Sequence, residues 1–331
     1  MSLLKRQDPL IFLIIAAVLV AIVVPARGSF AEAFSTATSV AIAVLFFLYG
    51  ARLSTQEALR GLYHWRLHLL ILAFTFLVFP LLGLALKPLT LFLSEDLYLG
   101  ILFLTLVPST VQSSVAFTSI AKGNVAGALV AASVSNLAGV FFTPLLVFAF
   151  MNSRSGLHID ASVFLDIALQ LLVPFILGQL AHRWIKGFAA HKATKIVDRG
   201  SITMVVYSAF SAGMVSGVWQ STSVAEILFL IALSIALVAF MLWLTRVSAQ
   251  RLGFDRGDVL AVQFCGTKKS LASGLPIASV IFGGASLGLL ILPLMIFHQV
   301  QLMMCSWLAS RYARQAENAA EGSAKSPTEN S

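Results

Sequence analysis

Ten apolar stretches follow one another along the chain, at about residues 9–24, 36–49, 67–86, 97–120, 124–150, 162–181, 201–218, 225–244, 258–282 and 286–310. A helix crossing a bilayer needs about 20 mostly apolar residues, so ten of them account for most of the 331 residues and leave only short connections. Composition agrees: 59% of residues are hydrophobic and 11% charged, where a soluble domain carries roughly a quarter charged. A soluble globular domain, a disordered chain and a disulfide scaffold are all excluded. The two cysteines, Cys265 and Cys305, form no CxxC pair and lie in apolar runs, where a thiol behaves as a small buried hydrophobe. The expected fold is an all-α, polytopic membrane protein.

Basic residues orient it. With the N-terminus inside, seventeen of the 22 Lys and Arg fall in inside segments, among them Arg52, Arg66, Lys122, Arg199, Arg246 and Arg256. Only Arg27, Lys87 and Arg154 fall outside, and Lys268 and Lys269 lie within a span. Basic residues concentrate on the cytoplasmic side of short loops, so both termini are expected there, and the net charge of +8 reflects topology and not nucleic-acid binding. Val24-Pro25-Ala26-Arg27 is a poor cleavage site, so the first span reads as a retained helix. The polar stretch from Ala313 to Ser331 is expected to be a disordered cytoplasmic tail.

Ten spans divide into five and five, and an odd number per half sets the halves in opposite orientation, as in an inverted repeat. Spans four and nine share an anomaly. One carries Pro108, Ser109, Thr110, Gln112, Ser113 and Ser114 at mid-membrane; the other carries Gln263, Gly266, Thr267, Lys268, Lys269, Ser270, Gly274 and Pro276. Backbone left unpaired in lipid is expensive, so interrupted helices survive where they are buried in protein or line a cavity. A matched pair of such segments points to the midplane site of a transporter. The plainer alternative is two kinked but continuous helices whose Ser and Thr hydroxyls bond back to carbonyls one turn earlier.

Lysine at the bilayer centre costs about 2.5–3.5 kcal/mol even on the lenient insertion scale. All fourteen carboxylates lie in loops, termini or near span ends, as Asp166, Glu226 and Asp258 do, so neither lysine has an acidic partner at its depth. Three solutions remain open: an ammonium held by oxygens of Ser113, Ser114, Asn136 and broken-helix carbonyls, a neutral amine, or an ammonium balanced by an anionic substrate. In span ten, Phe297-His298-Gln299-Val300-Gln301 is a second polar cluster. His298 and Asn136 fall at the same distance from the starts of their spans, as pseudo-symmetry mates would; hydrogen-bonded packing and proton carriage are the two readings of His298. Gly213 and Gly217 match the small-xxx-small helix-packing pattern.

Four segments resemble the bile acid:sodium symporter family, and within it the "member seven"-like bacterial branch: Phe264–Ala278 (FCGTKKSLASGLPIA), Leu292–Met303 (LPLMIFHQVQLM), Pro108–Asn124 (PSTVQSSVAFTSIAKGN) and Phe79–Gly83 (FPLLG). The resemblance implies ten transmembrane helices in a five-plus-five inverted repeat with broken, crossing helices four and nine. Panel helices come from residues 1–66 and 151–219, core helices from 67–150 and 220–312, and the tail from 313–331. It also implies two sodium ions beside the crossing and substrate between panel and core. Carried over residue by residue, the sodium pattern is depleted. The serine–asparagine pair matches Ser113–Ser114, and the span-five hydroxyls fall at Ala128 and Ala132, with Ser133, Ser135 and Asn136 nearby. The span-three glutamine falls at Thr75, the bridging glutamate at Phe264, and its glutamine at Lys268.

The function expected is a secondary active transporter, not an enzyme, of the inner (plasma) membrane, moving a small organic anion by alternating access. No cofactor is expected, and the coupling ion, sodium or proton, stays open. Candidate substrate- or ion-binding residues are Thr75, Gln112, Ser113, Ser114, Ser133, Asn136, Gln263, Thr267, Lys268, Lys269, Ser270, His298 and Gln299, with Gln301 a weaker one. Ser113, Ser114 and Asn136 are the ligands for any retained sodium, Lys268 is the candidate tethered cation in place of a lost one or a coupling switch, and Lys269 with Thr267 and Ser270 are the candidate substrate or crossing contacts. The rivals are a regulatory membrane protein affecting calcium homeostasis without bulk transport, an anion channel, and an intramembrane enzyme. The last would need deep acid/base pairs or metal ligands, and HExxH, aspartate pairs and histidine clusters are absent from the sequence.

Overall fold

A computed structural model describes residues 9–52, 64–151, 168–189, 191, 193–217, 223–282 and 287–324, and these are helical almost throughout. Helix α1 spans Pro9–Val23 and α2 Gly28–Arg52. Next, α3 (Trp65–Ala73), a π-turn (Phe74–Val78) and α4 (Phe79–Ala85) form one continuous rod. A 3₁₀ turn at Lys87–Leu91 leads to α5 (Glu95–Leu106), then α6 (Gln112–Ile120) and α7 (Val125–Met151). Beyond a π-turn at Ala168–Leu172 come α8 (Val173–Ala189) and α9 (Thr194–Ser216). The chain continues through α10 (Val224–Arg251), α11 (Arg256–Thr267), α12 (Leu271–Ile281) and α13 (Leu287–Ala324).

Among the described residues, five helical stretches are long and apolar enough to cross a membrane alone: Gly28–Arg52, Trp65–Leu91, Val125–Met151, Val224–Arg251 and Leu287–Ala316. The pairs α5/α6 and α11/α12 are short helices joined by extended residues. Apolar side chains face outward around the perimeter, Leu69, Leu145, Leu177 and Trp243 among them, as a lipid-facing surface requires. Several helices outrun their apolar stretches. In α2 the hydroxyls of Thr36 and Thr38 donate back to Glu32 O and Phe34 O, 3.0 and 2.8 Å, which lets a polar first half stay helical.

Helices α1, α2, α8 and α9 pack on one another, while α3–α7 and α10–α13 form a second group that meets the first mainly through α9. The contact of α2 with α8 depends on two glycines. A Cβ on Gly50 would sit 2.0 Å from Phe175 O, and one on Gly178 would sit 1.9 Å from Phe47 O, so each glycine admits the other helix's backbone. This pair is separated by more than a hundred residues, and no local pattern announces it. Gly217, at φ 75°, caps α9 in the left-handed conformation, with its N–H on Gly213 O.

One correction concerns the tail. Residues Ala313–Ala324 continue α13 instead of being disordered, since Ala, Glu, Gln and Arg are strong helix formers that extend a helix already nucleated in the bundle. Residues 325–331 lie outside the described residues, as do the expected loop 152–161 and the start of the sixth apolar stretch, 162–167.

Candidate site at the helix crossing

The first break follows from Pro108. The residue before a proline is pushed out of the helical region, and Val107 is extended at φ −77°, ψ 156°. Proline has no N–H to return to the preceding turn. Ser109 N–H, which a continuous helix would direct at Thr105 O, donates instead to Ser135 Oγ at 3.1 Å. Leu106 O accepts from Thr143 Oγ1 at 2.9 Å. The pyrrolidine ring sits against α7 at Gly139, where a Cβ would come within 2.5 Å of it.

In the second break, α11 stops at Thr267, Lys268 is extended at φ −89°, ψ 150°, and Ser270 caps α12 by accepting from Ser273 N–H. Its orphaned carbonyls find hydroxyls from the first break: Cys265 O accepts from Ser109 Oγ at 2.6 Å, and Phe264 O from Ser114 Oγ at 3.4 Å. The two breaks are joined directly by Ser270 N–H donating to Pro108 O, 2.7 Å. Gln301 on α13 clamps the unwound strand from the side. Its Oε1 accepts from Lys269 N–H at 2.9 Å while its Nε2 donates to Lys269 O at 2.8 Å, as a neighbouring strand would. The same Nε2 lies 2.9 Å from His298 Nδ1.

Extended residues send successive side chains to opposite sides, and the adjacent lysines therefore meet different surroundings. Both are fully buried. Lys269 Nζ donates to Thr75 O at 2.8 Å, Thr105 O at 2.7 Å and Val107 O at 2.8 Å, which uses all three ammonium protons. Each acceptor is free for a local reason. Thr105 has lost Ser109 N–H to Ser135, and Val107 lies at the break itself. Thr75 sits in the π-turn, where Phe79 N–H reaches back to Phe74 O, and Pro80 has no N–H to offer in its place. The ring of Phe79 covers the amine at 4.3 Å. Lys268 Nζ has no hydrogen-bond partner among the described residues. It lies over the ring of Phe117 at 3.7 Å, a cation–π contact.

The other candidate residues distribute around these two amines. Ser270 sits at the crossing bond. Thr267 Oγ1 is 3.3 Å from Thr245 Oγ1, and Gln263 Nε2 donates to Leu242 O at 2.9 Å, so both tie α11 to α10. Asn136 Oδ1 accepts from Ser273 Oγ, linking α7 to α12. Ser113 contacts Thr110 through its hydroxyl, and Ser114 reaches α11 as described. Thr75 enters through its carbonyl, its own hydroxyl being turned back to Ile71 O. Gln112 is exposed, Ser133 and Gln299 are half-buried, and none of the three hydrogen-bonds either lysine's Nζ. Sequence reasoning passed over the carbonyls of Thr105 and Val107, the Phe79 and Phe117 rings and the Ser273 hydroxyl. Only Pro80 and Pro108, each silencing a donor, signalled where carbonyls would be free.

The chain matches the SBF-like CPA transporter family over residues 8–314. It belongs to that family. An uncharacterized protein of Pseudomonas aeruginosa is 49% identical over 320 residues, covering 95% of this chain and 96% of the relative. YfeH of Escherichia coli (strain K12) is 44% identical over 322 residues, 96% of each chain. The sodium/bile acid cotransporter 7 of Rattus norvegicus is 32% identical over 292 residues, 83% of this chain and 85% of that one. The crossing thus belongs to a multi-pass membrane transporter, in a family related to the bile acid:sodium symporters. In the transporter the crossing is closed by four kinds of donor: hydroxyls, an amide side chain, backbone N–H groups and one ammonium.

Proposed function

We propose that this transporter carries a small organic anion across the inner (plasma) membrane by alternating access, with ten spans in a five-plus-five inverted repeat and both termini cytoplasmic. Helices α1, α2, α8 and α9 form the panel and the remaining helices the core. The solute binds between them, and the crossing answers to the coupling charge. The observation that carries the reading is the pair of adjacent buried lysines where the two helix breaks meet, one saturated by carbonyls and one without a hydrogen-bond partner among the described residues.

Lys269 is the fixed member. Three carbonyls converging on one point are what a small cation needs, and a tethered ammonium supplies it permanently. Lys268 is the responsive member, in the position that the family resemblance aligns with a sodium-site glutamine. Its free donors are available to the carboxylate of a solute, and a second cation beside it would be repelled. Cation coupling is accordingly altered from sodium. Ser113, Ser114, Asn136 and Thr267 supply oxygens at the crossing, and His298 acts through Gln301.

Uptake by purified transporter in liposomes tests this. An inward sodium gradient is expected to raise anion uptake less than twofold, and Lys268→Ala is expected to abolish uptake. Strong sodium stimulation that survives Lys268→Ala overturns the reading.

A further inference from the structure

A cavity of about 430 Å³ opens between α10, α11 and α13, lined by none of the residues placed at the crossing. Its polar lining is Arg246, Gln250, Arg256, Tyr312 and Gln315, and its apolar floor includes Phe254 and Leu260. No carboxylate lines it among the described residues, and neither arginine has an acidic partner there. Arg246 donates to the Tyr312 hydroxyl and lies over that ring at 5.1 Å, which leaves the Tyr312 O–H itself free to donate. Arg256 reaches Lys122 O and Ala121 O at only 3.5 and 3.4 Å, so most of its donors stay uncommitted. Two guanidinium groups, a phenol and two amides around an apolar floor suit an anionic, amphiphilic ligand.

The depth of the cavity says which one. Trp243 and Trp307 are both exposed, at 57% and 60%. Exposed tryptophans on membrane helices sit at the boundary between hydrocarbon and headgroups. Trp243, Arg246 and Gln250 follow one another at helical spacing on one stripe of α10, as do Trp307, Arg311 and Gln315 on α13. The guanidinium of Arg311 already lies over the Trp307 ring at 5.7 Å. At 1.5 Å per residue the cavity's polar lining begins about 5 Å and ends about 12 Å beyond the tryptophans, towards the helix ends. That is headgroup depth, on the lipid-facing side of the same helices.

We infer that this cavity is a binding site for the phosphoryl headgroup of an anionic membrane phospholipid, which ties α10 to α11 and α13 at one face of the bilayer. The inference is independent of what the transporter carries. Delipidated transporter in neutral detergent is titrated with phosphatidylglycerol, phosphatidylcholine or inorganic phosphate, and its melting temperature is followed. Phosphatidylglycerol is expected to stabilise it, with phosphatidylcholine and millimolar phosphate inert. The half-maximal concentration should rise roughly fivefold for each arginine neutralised in R246Q and R256Q, and be unchanged in R251Q, an exposed arginine outside the cavity. Equal responses to both lipids, or a phosphatidylglycerol response that survives R246Q/R256Q, overturn the inference. Stabilisation by inorganic phosphate alone overturns it in favour of a soluble phosphoryl ligand. Should the double variant not purify, native mass spectrometry of the wild-type protein in an equimolar lipid mixture decides: several-fold retention of phosphatidylglycerol supports the site, and equal retention refutes it.

Discussion

The two helix breaks solve one problem by different means. Each leaves backbone carbonyls inside a protein that offers them no water. At the first, Thr105 O and Val107 O are taken by an ammonium from the second break, and Leu106 O by a hydroxyl. At the second, Cys265 O and Phe264 O receive neutral hydroxyls, and Lys269 O the Gln301 amide. One break is closed largely by charge and the other entirely by neutral donors. A charge-assisted bond is roughly twice as strong as a neutral one, and its loss orphans several carbonyls at once. The comparison teaches that a lysine with no carboxylate near it can still be a structural residue, provided that broken helices supply the negative ends of their dipoles.

Variants can break this comparison, and their expected effects fall in order. Lys269→Met orphans three buried carbonyls. Each unsatisfied group costs about 1–3 kcal/mol, so a loss of at least about 3 kcal/mol is expected, seen as the largest drop in melting temperature or as failure to recover monodisperse protein. A melting temperature equal to wild type would refute the structural role. Gln301→Leu leaves one N–H and one C=O of Lys269 unpaired, for about 2 kcal/mol, and thermal unfolding in detergent should rank it second. Lys268→Met removes a cation–π contact worth about 0.5–2 kcal/mol together with an amine that has no hydrogen bond among the described residues. The two effects offset, so its melting temperature should stay near wild type while liposome uptake is lost. A Lys268 variant as unstable as the Lys269 variant would erase the distinction between the two residues.

Much of this was legible in advance, for identifiable reasons. The breaks at Pro108 and at Lys268–Ser270 could be read because proline and polar residues at mid-span oppose a continuous helix wherever they occur. That the lysines lacked carboxylates could be read because all fourteen acids lay elsewhere. Their division of labour could not. A tethered cation and a coupling switch are both open to Lys268 from the sequence, and the carbonyl cradle belongs to Lys269, whose three acceptors lie 162 to 194 residues away in sequence. The Gly50–Gly178 contact was equally hidden, because neither glycine carries a partner within its own helix that would mark it. Gly213 and Gly217 carried the recognisable pattern, and Gly217 served to end a helix.

The sequence by itself determined the solvent this protein folds in and where its helices fail, because hydrophobic length and missing N–H groups are properties of local chain. It also determined that two cations would be stranded at depth. Which of them is satisfied was decided only by the tertiary structure. An extended strand points neighbouring side chains to opposite sides, and only the packed bundle places free carbonyls on one of those sides and an aromatic face on the other.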